Sequence, residues 1–144
     1  HIVFEELQIK SPIPLISIVD TACKEAKKQN FTKLGLLGTV FTMKGEFFKK
    51  PFIANGIEII TPKEQEMTLI NEKISGELEL GIVKKETLQD FLKIIDRMKF
   101  EDGIQAIILG CTELPLILNN SVTSVSCLDT MEIHVQALVD IITK

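Results

Sequence analysis

The chain alternates between short, wholly apolar segments and longer amphipathic segments. The short segments are rich in Leu, Ile and Val, a composition that predicts buried strands. The longer segments carry apolar residues at helical spacing. The predicted strands are residues 15–19, 34–37, 57–60, 104–109 and 122–128, and the main predicted helices are residues 20–29, 42–52, 61–74, 85–100 and 129–142. This alternation predicts an α/β fold, a parallel sheet flanked by helices on both faces.

Capping residues predict where two of these helices start. Asp20 is a good N-cap for residues 20–29, and Thr61 followed by Pro62 has the pattern of an N-cap and a first helical residue. Residues 1–8 have the apolar stripe of the later part of a helix, without the preceding residues that such a helix needs for capping. We therefore expect this sequence to be the later part of a longer protein.

The chain has 144 residues, 45% hydrophobic and 25% charged, and a formal net charge of −4. These values are typical of one soluble globular domain with a core of its own. The acidic balance argues against nucleic acid as a partner, because phosphate recognition needs clustered positive charge. No apolar run approaches the roughly 18 residues of a membrane span, so a membrane partner is not expected either.

Three cysteines, Cys23, Cys111 and Cys127, are an odd count without disulfide-like spacing. This indicates a reducing compartment and predicts a cytoplasmic protein. Cys23 lies in a predicted helix beside small residues and Cys127 lies in a predicted strand, so we expect both to be packing residues. Arg97 is the single arginine, which leaves almost no guanidinium to bind a carboxylate or phosphate through paired hydrogen bonds.

Two predicted strands end in polar residues at the edge where open parallel sheets bind ligands. The first end is residues 38–42, in which Thr39 and Thr42 stand three apart at a helix start. Their hydroxyls and the free amides of that helix start would suit a carboxylate. The alternative is that Thr39 or Thr42 only caps the helix, and the segment taken alone favours that alternative.

The second strand end is Gly110-Cys111-Thr112-Glu113. Gly110 allows a tight turn, and Thr112 can cap a short helix whose first turn tolerates Pro115. A thiol at a helix N-terminus has a stabilised thiolate, so Cys111 can serve as a base or nucleophile. Glu113 is close enough in sequence to orient the thiol or to exchange a proton with it. The alternative for Cys111 is a small buried core residue.

His134 lies early in the last predicted helix, and no second His or Cys stands at a metal-ligand spacing. We therefore expect a hydrogen-bonded structural histidine and no metal site. A Gly-rich phosphate-binding fingerprint is not indicated, because Gly35 and Gly38 lack the G-x-G-x-x-G spacing.

Four segments together resemble the aspartate/glutamate racemase family. They are Leu34-Gly-Leu-Leu-Gly-Thr-Val-Phe-Thr-Met43, Gly56-Ile-Glu-Ile-Ile-Thr-Pro62, Ile107-Ile-Leu-Gly-Cys-Thr-Glu-Leu-Pro115 and Asp129-Thr-Met-Glu-Ile-His134. The segments occur in the family's order over most of the chain, and Leu-Gly-Cys-Thr-Glu is the most specific of them. Glu113 is similar to the aspartate-racemase branch, since glutamate racemases usually carry His at that place.

The resemblance implies an isomerase, an amino-acid racemase that needs no cofactor such as pyridoxal phosphate and has two similar α/β domains. Members hold the amino acid between two cysteines, one from each domain, which exchange the roles of acid and base. By resemblance, Cys111 is one of the pair, Glu113 supports it, and Thr39, Thr42 and Thr112 hold the substrate's α-carboxylate or line its pocket. The resemblance also implies a homodimer and an amino-acid substrate: aspartate, glutamate or a broader range.

The family's first catalytic cysteine lies in a Cys-Asn-Thr motif that is followed shortly by a His. His1 looks like that His, so the motif is expected just before this sequence begins. We accordingly expect residues 1–14 to end a helix from a preceding domain and residues 15–115 to form the racemase domain that carries Cys111. Residues 116–144 are expected to be a strand and helix that pack on the preceding domain.

The segment around Leu80 and Gly81 departs from the family pattern. Some racemases of acidic amino acids place a Lys there to meet the side-chain carboxylate, whereas this chain has Glu77 and Glu79 nearby. Substrate choice is therefore open. The alternative to a racemase is a non-catalytic α/β module that binds a small carboxylate, or another small-diacid enzyme on the same scaffold.

Overall fold

The structure is a computed structural model that describes residues 2–144. The helices of this range are α1 (Phe4–Lys10), α2 (Ile18–Lys28), α3 (Val40–Lys44), α4 (Glu46–Ala54), α5 (Glu64–Gly76), α6 (Lys85–Arg97) and α7 (Thr130–Ile142). The strands are β1 (Lys33–Leu37), β2 (Glu58–Ile60), β3 (Ala106–Leu109) and β4 (Ser126–Asp129). Two 3₁₀-helices, Leu78–Leu80 and Leu114–Leu116, and a π-helical turn, Met98–Asp102, complete the elements. His1 lies outside the described residues.

All four strands run parallel in one sheet, in the order β2-β1-β3-β4. Residues 34–37 of β1 pair with residues 106–109 of β3, and these pair in turn with residues 126–129 of β4. The two central strands, β1 and β3, are buried along almost their whole length, as their apolar composition predicts. The predicted α/β fold with a parallel sheet is confirmed.

Side chains alternate between the two faces of the sheet along each strand. The apolar side chains on each face are covered by helices. Leu37 and Leu109 belong to a buried cluster with apolar residues of α5 and α6. Leu36 and Ile108 belong to a second cluster with residues of α2 and α4. Ligands of such covered sheets bind where the strands end, so the carboxyl ends of the strands are the place to look for a site.

Among residues 2–144, none of the helices is both long and apolar enough to cross a membrane.

The predicted strand over residues 15–19 is wrong. The helix α2 begins within it, at Ile18, and the Ser17 hydroxyl accepts a hydrogen bond from the Asp20 amide at 3.2 Å. Ser17, not Asp20, is therefore the N-cap. A short β-branched run has the same apolar pattern in a strand and at the start of a buried helix, and here Val19 packs against the sheet from a helix.

Two other predicted helices differ in their bounds. The helix expected from Thr61 begins at Glu64, with Lys63 as its N-cap. The helix expected over residues 42–52 is divided into α3 and α4, because Gly45 is extended between them and caps both. The first difference moves a helix start and the second adds a short helix, and neither changes the order of the strands that follow.

The C-terminal residues 116–144 contribute β4 and α7. β4 pairs with β3 in the same sheet, and α7 packs beside α2. β4 is shorter than the predicted strand, and the Asn120 side chain accepts a hydrogen bond from the Cys127 amide at 2.7 Å. The loop before β4 therefore covers part of the strand's outer edge. The expected packing of this segment on a preceding domain stays a prediction.

A buried carboxylate fixes the loop between α5 and α6. Glu77 is only 7% exposed, and it accepts hydrogen bonds from Lys73 at 2.8 Å, from Lys84 at 3.2 Å and from the hydroxyl of Thr87. These donors, Lys73 above all, lower the pKa of Glu77 to about 2. Because Lys84 and Thr87 stand at the start of α6, the carboxylate ties the end of α5 to that start.

We predict that the stability of the folded chain falls between pH 4.5 and about pH 2 as Glu77 becomes protonated. The pKa of this carboxyl is lower in the folded chain than in the unfolded chain, so its contribution is present above the unfolded value and lost as pH falls through the folded value. Glu77→Gln should lower the melting temperature near neutral pH and remove this part of the pH dependence. Thermal denaturation at several pH values measures both effects.

The control is Glu64→Gln, which removes an exposed ion pair with Lys44 and should change the melting temperature little. Equal losses in the two variants would contradict a special role for the buried carboxylate.

Candidate active site

β1 and β3 end side by side, which brings the two predicted strand-end segments together. The Gly110 amide donates a hydrogen bond to the Leu37 carbonyl at 2.8 Å. A Cβ on Gly110 would lie 2.9 Å from that carbonyl oxygen and 3.2 Å from the methyl group of Thr42, and a Cβ on Gly38 would lie 3.2 Å from Thr42 as well. Glycine at both places is what allows the first turn of α3 to pack this closely on the strand ends.

Thr39 and Thr42 have different roles at this junction. Thr39 is the N-cap of α3, and its hydroxyl accepts a hydrogen bond from the Thr42 amide at 3.3 Å. The two hydroxyl oxygens lie 3.3 Å apart. The Val40 amide donates to the Asn71 side chain at 2.9 Å, so two amides of this helix start are already bonded within the protein. Thr39 therefore does cap α3, and its role in substrate binding stays a prediction.

Cys111 lies in the turn after β3, half-buried against the apolar cluster under α5 and α6. Its Sγ donates a hydrogen bond to Oε2 of Glu113 at 2.8 Å. Burial raises the pKa of the Cys111 thiol to about 11, and the carboxylates of Glu113 and Glu79 add to the rise. Cys111 is therefore a protonated thiol at neutral pH.

The expectation that a helix N-terminus stabilises the Cys111 thiolate is wrong. The turn leads into a 3₁₀-helix of three residues, Leu114–Leu116, and Glu113 rather than Thr112 is at its N-cap position. Hydrogen bonds from Cys111 and from the Thr112 side chain lower the pKa of the Glu113 carboxyl. Three residues add almost no helix dipole, so burial and the neighbouring carboxylate determine the pKa of the thiol.

A cleft of about 400 Å³ opens beside these strand ends. Thr42 and Thr112, both predicted to contact the substrate, line the cleft. The other predicted site residues, Thr39, Cys111 and Glu113, lie outside its lining. The rest of the lining consists of Gly110, Thr130 and the apolar residues Ile2, Val3, Ile18, Phe41, Phe47 and Phe48. The structure thus brings together two of the three predicted threonines at the cleft, with the thiol in the adjoining turn.

Thr130 is a residue of the cleft that sequence analysis missed. It is the first residue of α7, and its buried hydroxyl donates a hydrogen bond to the Leu109 carbonyl at 2.9 Å. This bond joins the start of α7 to the end of β3, two residues before Cys111. A signal was available, because Asp129 and Thr130 follow a predicted strand directly, where N-caps and ligand-contacting residues occur.

The remaining cysteines and His134 have other environments. Cys23 is 3% exposed and donates from Sγ to the Pro51 carbonyl at 3.4 Å, which confirms a packing role. Cys127 is half-buried in β4 and packs against the apolar cluster.

The Nδ1 atom of His134 is buried without a hydrogen-bond partner among the described residues, so the expected hydrogen bond is not found for that nitrogen. Within residues 2–144, no three His, Cys, Asp or Glu side chains are arranged to hold a metal ion.

Nearly the whole chain matches one protein family. The model of the family described as Asp/Glu/hydantoin racemase covers residues 1–138. This chain belongs to the Asp/Glu/hydantoin racemase family. The resemblance that four sequence segments indicated is thereby confirmed.

Solved structures similar to this racemase-family chain share its fold throughout. A Yersinia pestis protein described as a candidate Asp/Glu racemase is 34% identical with a TM-score of 0.94, and the match covers 100% of this chain and 63% of that protein. An aspartate racemase homologue from Pyrococcus horikoshii OT3 is 33% identical, also with a TM-score of 0.94 and coverage of 100% and 63%. A glutamate racemase from Aquifex pyrophilus is 27% identical over 78% of this chain and 42% of its own length. The chain therefore spans less than two thirds of each of these relatives.

We predict that Gly110→Ala destabilises this racemase-family chain by about 1–3 kcal/mol, because the added methyl group meets the Leu37 carbonyl oxygen at 2.9 Å and the backbone must shift. Gly76→Ala is the matched control, since a methyl group there meets nothing within 4 Å. It should leave stability unchanged or raise it by up to about 1 kcal/mol. Denaturant unfolding measures the difference, and equal stability of the two variants would contradict the close approach of the strand ends.

We also predict that removing the charge of Glu113 lowers the pKa of Cys111. Glu113→Gln takes away the carboxylate that favours the thiol, while burial, the larger cause, keeps the pKa above its ordinary value of 9.0. The pH dependence of Cys111 alkylation by iodoacetamide, followed by peptide mass spectrometry, measures this pKa. Glu79→Gln removes a smaller contribution and should shift the profile less. An unchanged profile in Glu113→Gln would show that the carboxylate does not control the thiol.

Proposed function

We propose that this chain carries one of the two proton-transfer groups of an amino-acid racemase that works without pyridoxal phosphate. The observation that carries the proposal is the pair formed by Cys111 and Glu113, in which a thiol donates to a carboxylate at 2.8 Å. The pair lies beside the carboxyl end of β3, the edge at which open parallel sheets bind ligands. Membership of the racemase family supports the same reaction class.

Racemisation inverts the α-carbon by removing its proton on one face and delivering a proton to the other face. A base on the far face takes the α-proton, and the electron pair left on carbon is shared with the α-carboxylate. Cys111 then gives its Sγ proton to the near face and becomes a thiolate, while the far base is left protonated. The reverse reaction uses the same two groups with their roles exchanged.

Glu113 acts on this reaction as a positioning residue. By accepting the hydrogen bond from Sγ it favours the thiol, which is the form that donates a proton. The raised pKa of Cys111, about 11, also makes its thiolate a stronger base once it forms, which suits the removal of a weakly acidic α-proton. Little thiolate exists at neutral pH, so Cys111 enters the direction described above as the acid.

The second proton-transfer group is expected to be another cysteine, as the family resemblance implies. Cys23 is buried and bonded to the Pro51 carbonyl, and Cys127 is the second residue of β4 rather than a residue beyond its end. Neither thiol has the carboxylate partner and strand-end position of Cys111. We assign the second role to neither, and the family's Cys-Asn-Thr motif remains its expected source.

Thr42 and Thr112 are the proposed ligands of the substrate's α-carboxylate, because both line the cleft beside the thiol turn. Thr39 positions Thr42, because the Thr39 hydroxyl contacts both the amide and the hydroxyl of Thr42. Aspartate, glutamate or a broader range of amino acids is the substrate that the resemblance predicts. A homodimer and a cytoplasmic location are further predictions from the sequence.

We predict that Cys111→Ser lowers the exchange of the α-proton with deuterated solvent by at least about a hundredfold, because a serine hydroxyl is too weak an acid to replace the thiol. Proton NMR of amino acids incubated with the full-length protein, without pyridoxal phosphate, measures the exchange. Cys127→Ser is the matched control and should keep the wild-type rate.

Undiminished exchange in Cys111→Ser would rule out Cys111 as a proton-transfer group of the reaction. Binding of an amino acid without exchange by the wild-type protein, detected as a thermal shift, would instead favour a non-catalytic module that binds a small carboxylate.

A further inference from the structure

We propose that Thr130 is a positioning residue for the proton transfer by Cys111. Its buried hydroxyl fixes the peptide group between Leu109 and Gly110, through which β3 leads into the turn of the thiol. The inference rests on the proposed function and deepens it, because it says what holds the proton donor in place. It adds a residue of α7 to a site that is otherwise built from the ends of β1 and β3.

The peptide group between Leu109 and Gly110 is held on both of its sides. Its carbonyl oxygen accepts a hydrogen bond from the Thr130 hydroxyl at 2.9 Å, and its N–H group donates to the Leu37 carbonyl at 2.8 Å. The C=O and N–H bonds of a trans peptide group point in opposite directions, so α7 holds this group from one side and β1 from the other. Its plane is therefore fixed, with only one glycine between it and Cys111.

The hydroxyl of Thr130 serves the end of β3 rather than its own helix. Asp129 is the N-cap of α7, and its carboxylate accepts hydrogen bonds from the amides of Met131 and Glu132 at 3.0 and 3.2 Å. Capping of α7 therefore does not require the Thr130 hydroxyl. The pairing of β3 with β4 ends at Leu109 and Asp129, so Thr130 supplies a donor just past the last pair of strand residues.

Burial makes this hydrogen bond hard to replace. Thr130 is 6% exposed and Leu109 is 1% exposed, so little water reaches the two groups. A buried carbonyl that loses its donor carries a desolvation penalty until it moves to another donor. Thr130→Val removes the hydroxyl and nearly keeps the shape of the side chain, and it therefore favours rotation of the peptide group.

A rotated peptide group would displace Cys111, which follows after a single glycine. The Cys111 carbonyl accepts a hydrogen bond from the Leu114 amide at 3.2 Å, and its Sγ donates to Glu113 at 2.8 Å. The thiol thus stands between a peptide group held by Thr130 and a short turn held by its own hydrogen bonds. Proton transfer needs its donor and acceptor within hydrogen-bond reach, and a displacement of about 1 Å can cost roughly a hundredfold in rate.

The first readout is the pH profile of Cys111 alkylation by iodoacetamide, followed by peptide mass spectrometry. Burial and the carboxylates of Glu113 and Glu79 raise the pKa of this thiol to about 11. A displaced turn weakens both the burial and the bond to Glu113, so Thr130→Val should lower the midpoint of the profile towards the ordinary pKa of 9.0. Thr130→Ser keeps a hydroxyl donor and should keep the wild-type profile.

Thr21→Val is the matched control for this readout. Thr21 is 7% exposed, and its hydroxyl also donates to a backbone carbonyl, that of Ile18 within α2, at 3.0 Å. The same change of side chain there removes a comparable hydrogen bond away from the thiol turn and should leave the profile unchanged. Cys23, 3% exposed, should stay unreactive in every variant that remains folded. An unchanged profile in Thr130→Val would overturn the inference.

The second readout is the exchange of the α-proton of amino acids by the full-length protein in deuterated solvent. Thr130→Val should lower kcat by at least about tenfold with KM nearly unchanged, because a positioning residue acts on the proton donor and not on the bound substrate. Thr130→Ser should stay within about threefold of the wild-type kcat. A rise in KM at unchanged kcat would make Thr130 a substrate contact and overturn the positioning role.

The two readouts separate failure of the inference from failure of the proposed function. Absence of exchange in the wild-type protein would overturn the proposed function, whereas the alkylation profile would still decide whether Thr130 holds the thiol in place. Normal exchange in the wild-type protein and in Thr130→Val would overturn the inference and leave the proposed function intact.

Discussion

The hydrogen bond from the Gly110 amide to the Leu37 carbonyl, 2.8 Å long, holds the carboxyl ends of β1 and β3 together, and the candidate site depends on this junction. Each strand is followed directly by a glycine and then by a residue with a hydroxyl or thiol group. Because neither glycine has a side chain, Thr42 can pack against both strand ends. The same absence of side chains places the turn of Cys111 next to the start of α3. Two segments far apart in sequence thus become neighbours through backbone contacts alone.

The protonation state of Cys111 follows from this placement. The turn holds the thiol against apolar residues and directs it to the Glu113 carboxylate, and both conditions favour the neutral thiol over the thiolate. A two-base racemase needs one protonated and one deprotonated group at the start of each turnover. In the proposed reaction, a site that keeps Cys111 protonated makes this thiol the group that delivers the proton in the direction described above. A helix dipole would have favoured the opposite state.

The sheet could be predicted from sequence, because the central strands are continuous apolar runs and their pattern depends only on burial. Prediction failed where tertiary contacts decide between similar local patterns. Residues 15–19 form a helix start since Val19 packs onto the sheet from α2, and no local signal distinguishes that from a strand. Cys111 was identified as a reactive candidate, but its raised pKa comes from burial that a sequence does not display. Thr130 was missed because its contact with the end of β3 joins elements that are remote along the chain.

Several charged side chains of this chain are paired with one another within the fold, and other charges act on the candidate site. Arg97 joins α5 to α6 through Glu66, and two lysines are held by the buried Glu77. Neutralising these pairs leaves Glu113 and Glu79 as the charges that act on the thiol.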